Sequence, residues 1–337
     1  MAPFKSTQSF SVGHFLKSFR NRDAAGPAAL NSSVRTDRVE NIQATGGAIE
    51  TPGNGYRYHF LTLPSHTFEI TENPGPVEYV LVGGGGSGGH YNGTGNSGGG
   101  GGAGGFLTGT FTDMAIGTYP VTVAVTQTNN DGTSGDEGYS TVFNSLTAYG
   151  GGAGGAANGS GGGGASGGGS GGIGPLGGGV ANKMPDGTTN IPAALQPQGH
   201  AGGSQPLGNP GNAAGGGGAG GAGQNGGASG EGPGNGGDGL PAFNGDTGIP
   251  SSYGTAHPTL PGRWFAGGGS GGRFEAGARG GYGGGGHQES NSTPLTINGV
   301  ANTGGGGGGG AGPADQPDRY GHGASGIVIL RYRYINN

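Results

Sequence analysis

The chain has 337 residues, of which 95 are glycine; only 29% are hydrophobic, 10% are charged, and the net charge is −5. So few apolar side chains exclude a large conventional core. The absence of cysteine excludes disulfides and thiolate metal sites. No apolar stretch is long enough to span a membrane, and the N-terminus lacks the apolar segment of a secretory signal. We therefore expect a protein made in the cytoplasm, without membrane insertion.

Residues 1–50 differ in composition from the rest of the chain. Residues 1–38 carry six basic and two acidic side chains, whereas the remainder is acidic. Ser11 can cap a short helix with one apolar stripe, flanked by Arg20 and formed by Val12, Phe15, Leu16 and Phe19. We predict a short N-terminal helical anchor that docks on another protein. A transit peptide and an unstructured terminus are the alternatives.

After residue 50 the pattern becomes that of β-strands. Alternating or apolar segments predict strands at 56–62, 66–71, 77–82, 106–112, 117–124, 139–143 and 326–334. The Leu-Pro-Ser sequence between the first two predicts a hairpin. The sequence therefore predicts a mostly β protein with little helix. Its small antiparallel β-sandwich comes from a β-rich domain at 51–149, which the strand within 326–337 closes.

Eight runs of nearly pure glycine dominate the chain. They span 83–89, 98–105, 150–155, 161–172, 215–223, 267–272, 280–286 and 304–310. Glycine loses more conformational freedom on folding than other residues, so a regular arrangement must offset that cost. The extended three-fold helix has about 3.1 Å rise per residue and directs its backbone polar groups outward. Such helices can satisfy one another side by side. We predict a bundle of packed polyglycine II helices, mainly at 150–325, with exposed loops.

Six segments combine strand sequence with the glycine runs in a recognisable order. They are Tyr58-His-Phe-Leu-Thr62, His66-Thr-Phe-Glu-Ile70, Val77-Glu-Tyr-Val-Leu-Val-Gly-Gly-Gly-Gly86, Gly-Gly-Ala-Gly-Gly-Phe106, Gly117-Thr-Tyr-Pro-Val-Thr-Val123 and Gly326-Ile-Val-Ile-Leu-Arg-Tyr332. Together they resemble the glycine-rich domain of tailed-bacteriophage fibre and tail proteins. The glycine runs are also similar to those of T-even phage fibre-tip adhesins. The resemblance implies a virion protein that packs polyglycine II helices and presents loops to a receptor on the bacterial surface.

The connections between glycine runs hold the candidate receptor-binding residues. Aromatic rings can stack on sugars, and polar side chains can bond hydroxyl groups; the candidates are Tyr91, Asn92, Asp246, Tyr253, Arg263, Trp264, Phe265 and Tyr320. The connection 238–265 is the preferred patch because it contains the only tryptophan. The alternative is that Trp264 and Phe265 seal an open end of the bundle.

Enzymatic chemistry finds no support in the sequence. The eight histidines are dispersed without metal-ligand spacing, and glycine-rich motifs occur by composition alone. The acidic body does not favour nucleic-acid binding. We expect no catalytic residue, metal or cofactor. A multimeric phage adhesin that binds a glycan or an outer-membrane protein is the leading hypothesis. A purely structural virion component in the tail, baseplate or capsid decoration is the alternative, and an ice-binding or wall protein is the third.

Overall fold

Strands from both ends of the described chain form two antiparallel sheets. The structure, a computed structural model, describes residues 41–90, 97–128, 134–206, 211–227, 232–273, 277–288, 297–311 and 320–335. The strands are β1 Gln43–Thr45, β2 Ala48–Glu50, β3 Tyr56–Leu61, β4 Ser65–Glu72, β5 Gly75–Val82, β6 Phe106–Met114, β7 Gly117–Thr122, β8 Thr141–Phe143, β9 Leu146–Ala148, β10 Leu240–Pro241, β11 Thr255–Ala256, β12 Arg263–Phe265 and β13 Ile327–Arg333. In this part of the chain, helical structure is limited to 3-10 turns at Ala193–Leu195 and Ala242–Asn244.

The two large sheets form the predicted sandwich. Sheet I has the strand order β1-β4-β7-β8-β9, and sheet II has the order β2-β3-β13-β5-β6. A third, small sheet has the order β10-β12-β11. The side chains between sheets I and II form an apolar core that includes Leu61, Phe68, Ile70, Leu81, Val121, Phe143, Val328 and Leu330. The mostly β, antiparallel fold predicted from the sequence is confirmed.

The hairpin predicted from the first two strands is wrong. β3 pairs with β2 and β13 in sheet II, whereas β4 pairs with β1 and β7 in sheet I. Leu61 near the end of β3 and Phe68 in β4 are both buried in the core between the sheets. The chain therefore uses the turn at 62–64 to cross from one sheet to the other.

The folded body begins before the predicted boundary at residue 50. β1 and β2 belong to the sandwich, and Ile42 and Ala44 are buried in its core. The Asn41 side chain donates to the carbonyl of Ile335 and accepts from its N–H, which ties the first described residue to the C-terminal segment. Residues 1–40, with the predicted anchor residues Val12, Phe15, Leu16, Phe19 and Arg20, lie outside the described residues.

The run 98–105 illustrates how the glycine runs pack, and we call it the central run. Its N–H groups point in three directions in turn, at N···O distances of 2.7–3.0 Å. Gly98, Gly101 and Gly104 donate to the run 304–310, and Gly99, Gly102 and Gly105 donate to 149–155. Gly100 and Ala103 donate to 214–217. This repeat of three residues is the one that a three-fold extended helix predicts.

The carbonyl groups of the central run complete its surroundings. They accept hydrogen bonds from three further runs, 83–89, 166–169 and 269–272. The one remaining predicted run, 280–286, bonds to 267–270 and not to the central run. A helix with three donor and three acceptor directions therefore packs against neighbours on all sides. The eight N–H groups of the central run and seven of its eight carbonyl groups bond to neighbouring backbone without the help of side chains. We call this assembly of runs the glycine bundle.

Close approach explains why the bundle requires glycine. A Cβ atom at Gly101 would lie 2.1 Å from the carbonyl oxygen of Gly86, and one at Gly307 would lie 2.0 Å from that of Gly321. Both separations are far below ordinary van der Waals contact. The neighbouring backbones occupy the space that a side chain would need, so the bundle depends on the absence of Cβ atoms at these positions.

Two segments of the bundle differ from the sequence prediction. The long run 161–172 is not one rod, because it bends at 164–166 and the N–H of Gly168 donates back to the carbonyl of Gly162. Gly135, which falls within a predicted loop, lies in the bundle. Its N–H donates to Gly154, and a Cβ there would lie 2.3 Å from the carbonyl oxygen of Ser87.

The glycine bundle has two distinct ends. At the sandwich end, Gly83 directly follows β5, Gly105 directly precedes β6 and Gly326 directly precedes β13. At the distal end, Gly89 bonds to Gly99 and accepts from Gly310. The described residues that flank 91–96, 207–210, 228–231, 274–276 and 312–319 lie toward this distal end. The connections between runs therefore leave and re-enter the bundle mainly away from the sandwich.

Candidate functional site

The preferred sequence patch, 238–265, lies at the sandwich end of the bundle, and we call it the cover segment. Its apolar side chains pack on the outer face of sheet II. The cluster they form includes Tyr58, Phe60, Val80, Val82, Phe243, Ile249, Phe265, Ile327 and Ile329. Sheet II is thus buried on both faces, by sheet I on one side and by the cover segment on the other.

Asp246 holds the cover segment to the sheet through charge. Its carboxylate pairs with the Arg331 guanidinium and accepts a hydrogen bond from the Tyr58 hydroxyl at 2.6 Å. The same guanidinium bonds to Glu78 at 2.7 and 3.0 Å and lies over the ring of Phe243. The Arg331 and Asp246 side chains are only 11% and 15% exposed. Burial, together with the hydrogen bond to Asp246, raises the pKa of Tyr58 to about 12.

Tyr253 and Arg263 also make contacts within the protein. The Tyr253 ring stacks on Phe60, with centroids 4.0 Å apart and an interplanar angle of 3°. The Arg263 guanidinium donates to the carbonyls of Ser251, Tyr253 and Gly254 at 2.6–2.8 Å. Tyr253 is half-buried. These contacts fix the shape of the cover segment from within.

Trp264 and Phe265 occupy opposite sides of the small sheet. Phe265 is fully buried in the cluster against sheet II. Trp264 is 8% exposed, stacks on His257 with centroids 4.6 Å apart, and donates its indole N–H to Pro261. This placement corresponds to the sealing role weighed for the two residues. The receptor-binding role of the cover-segment residues stays a prediction.

Of the predicted receptor-binding residues, Tyr320 lies at the distal end. Its half-buried ring lies between two histidines, with centroids 5.4 Å from His90 and 5.9 Å from His322. Gly321 beside it bonds to Gly88 and Gly308. Tyr91 and Asn92 fall outside the described residues, although His90 before them lies at the distal end. The predicted residues thus divide between the two ends of the bundle and do not form one site.

One known protein family matches most of the chain. A family model described as a glycine-rich domain matches residues 62–333. The chain belongs to this glycine-rich domain family. The match covers β4 to β13 and therefore includes the glycine bundle and most of the sandwich, without β1, β2 and β3. A comparison with curated proteins gave no match.

The glycine-rich domain also presents a surface cluster that the sequence did not indicate. Arg279 lies over the ring of Tyr282 at 3.9 Å and pairs with Asp238 at the same distance. His257 lies against Tyr282 on one side and Trp264 on the other. These residues come from separate segments, and only the bundle brings them together. The Arg279 and Asp238 side chains are each 45% exposed.

Among the described residues, no group of three or more His, Asp or Glu side chains is arranged to hold a metal ion. None of the helices that these residues form is long and apolar enough to cross a membrane.

Proposed function

We propose that the protein is a bacteriophage virion protein, a tail fibre or fibre-tip adhesin. In this proposal it binds a bacterial cell-surface receptor, a glycan or an outer-membrane protein, through the distal end of its glycine bundle. The observation that carries the proposal is the separation of the two ends. A hydrogen-bonded bundle is a rigid scaffold, and connections on a rigid scaffold are the usual place for recognition.

The contacts of Asn41, the first described residue, support this division. Residue 41 enters the sandwich, where Asn41 bonds to Ile335. In our proposal the basic segment before residue 41 attaches the protein to other virion proteins. The polyglycine II helices direct the distal connections toward the host. The helices also reduce the entropy that these connections lose on binding, because both ends of each connection are held in place.

The purely structural virion component remains the second candidate, and the cover segment favours it. Five of the predicted receptor-binding residues contact other parts of the same chain there: Asp246, Tyr253, Arg263, Trp264 and Phe265. Their chemistry is accounted for by folding. The adhesin proposal therefore rests on the distal end, where Tyr320 lies.

Adsorption measurements separate the two candidates. The labelled full chain should bind cells of the bacterium on which the virus is propagated, and it should compete with the virus for adsorption. The double variant His90→Ala/Tyr320→Ala should reduce binding. Tyr139→Ala is the control, because Tyr139 is 50% exposed and bonds to Gly84 near the sandwich end. If the wild-type chain neither binds nor competes, the structural role is favoured; if both variants bind equally well, recognition does not use Tyr320.

A further inference from the structure

β6 forms an edge of sheet II and is the longest strand in the described chain. It spans Phe106–Met114 and pairs on one side with β5. The strand is regular from Phe106 to Phe111. The register then shifts, because Val77 and Gly75 of β5 pair with Phe111 and Met114, which leaves one extra residue on β6 at 112–113. Its opposite side is an edge that no other strand of the sheet covers.

The direction of the backbone groups on this edge follows from one hydrogen bond. The N–H of Phe106 donates away from β5, to the carbonyl of Gln198 at 3.1 Å. Since backbone groups of a regular strand alternate in direction, the N–H and C=O groups of Thr108 and Thr110 point outward as well. The N–H of Thr112 also points outward, because it lies opposite the inward C=O of Phe111 across one peptide plane. None of these three N–H groups has a hydrogen-bond partner outside the strand ladder among the described residues. The three side chains are exposed.

The regular part of the edge lacks the features by which sheets usually prevent pairing. Proteins protect edge strands with proline, lysine, bulges or a covering element. The β6 sequence Phe-Leu-Thr-Gly-Thr-Phe-Thr-Asp-Met contains no proline or basic residue, and its one charged residue is Asp113. Its extra residue, at 112–113, lies near the end of the strand. The uncharged residues 108–112, which are regular as far as Phe111, are thus open to another strand.

The sequence of the edge is self-complementary. In an antiparallel pair centred on Thr110, Thr110 faces its own copy and Thr108 faces Thr112. On this face of the sheet, each of these cross-strand pairs therefore joins two threonines. Cross-strand threonine pairs are favourable. On the other face, Gly109 lies opposite Phe111, which leaves room for the ring, and Asp113 lies opposite Leu107 rather than its own copy. No like charges meet.

We propose that the edge of β6 pairs antiparallel with β6 of a second copy of this chain, about a two-fold axis through Thr110. The outward N–H and C=O groups of Thr108 and Thr110 and the outward N–H of Thr112 would bond to the backbone of the partner strand. Sheet II then continues across the interface into the second sandwich. Such an isologous contact is closed, so the product is a dimer.

Cysteine cross-linking tests the axis directly, because the chain has no cysteine of its own. Directly opposed residues in a hydrogen-bonded antiparallel pair have Cα atoms about 5.5 Å apart, which is within disulfide range. Thr110→Cys should therefore form a disulfide-linked dimer under mild oxidation. Thr108→Cys alone should not, since its two copies would lie roughly 14 Å apart. Thr108→Cys mixed with Thr112→Cys should again cross-link.

Thr118→Cys is the matched control, because Thr118 is also an exposed strand threonine but lies on sheet I. It should stay monomeric under the same oxidation. Sedimentation of the unmodified chain should show a concentration-dependent dimer that Thr110→Pro removes. That proline deletes an outward N–H, so the ladder to β5 remains. If the reduced variants melt like the wild type and Thr110→Cys cross-links no faster than Thr118→Cys or Thr108→Cys, the proposal is overturned.

Discussion

Two adjacent glycines of the bundle provide a matched test of its packing. A Cβ at Gly307 would lie 2.0 Å from the carbonyl oxygen of Gly321 and 2.5 Å from its carbon. A Cβ at Gly308 would have its nearest neighbour, the carbonyl oxygen of Ile297, at 3.2 Å. Neither glycine has a positive φ angle. Alanine at the two positions therefore differs in the space around its methyl group and not in backbone strain.

The expected difference in stability can be worked from the hydrogen bonds. Gly307→Ala must move the run at Gly321 by more than an ångström to reach ordinary contact. That shift breaks the bond from Gly321 to Gly308 and strains the bond from Gly307 to Gly86. The broken bond leaves a buried N–H and a buried carbonyl unsatisfied, which together cost about 2–6 kcal/mol, a large part of a typical folding free energy of about 5–15 kcal/mol. Gly308→Ala needs a shift of only a few tenths of an ångström. The cost of that shift is offset by about 0.4–1 kcal/mol, because alanine lowers the conformational entropy of the unfolded chain.

Denaturant unfolding followed by tryptophan fluorescence measures this difference, since the chain has one tryptophan. Gly307→Ala should lower the free energy of unfolding by at least about 2 kcal/mol relative to Gly308→Ala, with similar denaturant dependence. Equal midpoints for the two variants would refute the packed-run geometry.

Three further predictions concern the sandwich and the N-terminal segment. Burial lowers the pKa of His59 to about 4, so as pH falls the unfolded chain binds this proton first. In denaturant unfolding measured at a series of pH values, the free energy of unfolding should fall by about 3 kcal/mol from pH 6.5 to pH 4. His59→Gln should remove that pH dependence. Asp246→Ala should cost about 3 kcal/mol in thermal or urea unfolding, because it leaves the buried guanidinium of Arg331 without one partner; an unchanged midpoint would contradict a structural role. Deletion of residues 1–40 should abolish incorporation into virus particles without changing the melting temperature, whereas deletion of 1–50 should lower it because β1 and β2 are lost.

The sequence predicted the elements of this fold better than their partners. The alternation of 106–112 and the apolar run of 326–334 correspond to β6 and β13, because period and burial are local properties. β2 was missed since all three of its residues are exposed and show no alternation. The prediction of a hairpin between β3 and β4 was wrong because the pattern of buried residues is the same whether a turn joins two neighbouring strands of one sheet or crosses between two sheets.

The candidate site shows the same limit. The local sequence around a loop aromatic such as Tyr253 would be the same whether its ring stacks on a sugar or, as here, on Phe60. Gly135 has a loop-like sequence context, yet a neighbouring backbone 2.3 Å from its Cβ position places it among the packed residues. The runs themselves were predictable, because backbone satisfaction is a requirement of any glycine tract that folds. Which connection meets a ligand depends on tertiary contacts that no local pattern encodes.

Amide hydrogen exchange on the central run tests the account most directly. Gly101 and Gly102 lie in no strand or helix, yet both donate buried bonds at 2.8 Å to neighbouring runs. We predict that their N–H groups exchange as slowly as those of the strand core, with free energies close to that of global unfolding. Gly53, an exposed glycine with no heavy atom within 4 Å of its Cβ position, should exchange rapidly. Exchange of Gly101 and Gly102 at the rate of Gly53 would contradict a hydrogen-bonded glycine bundle.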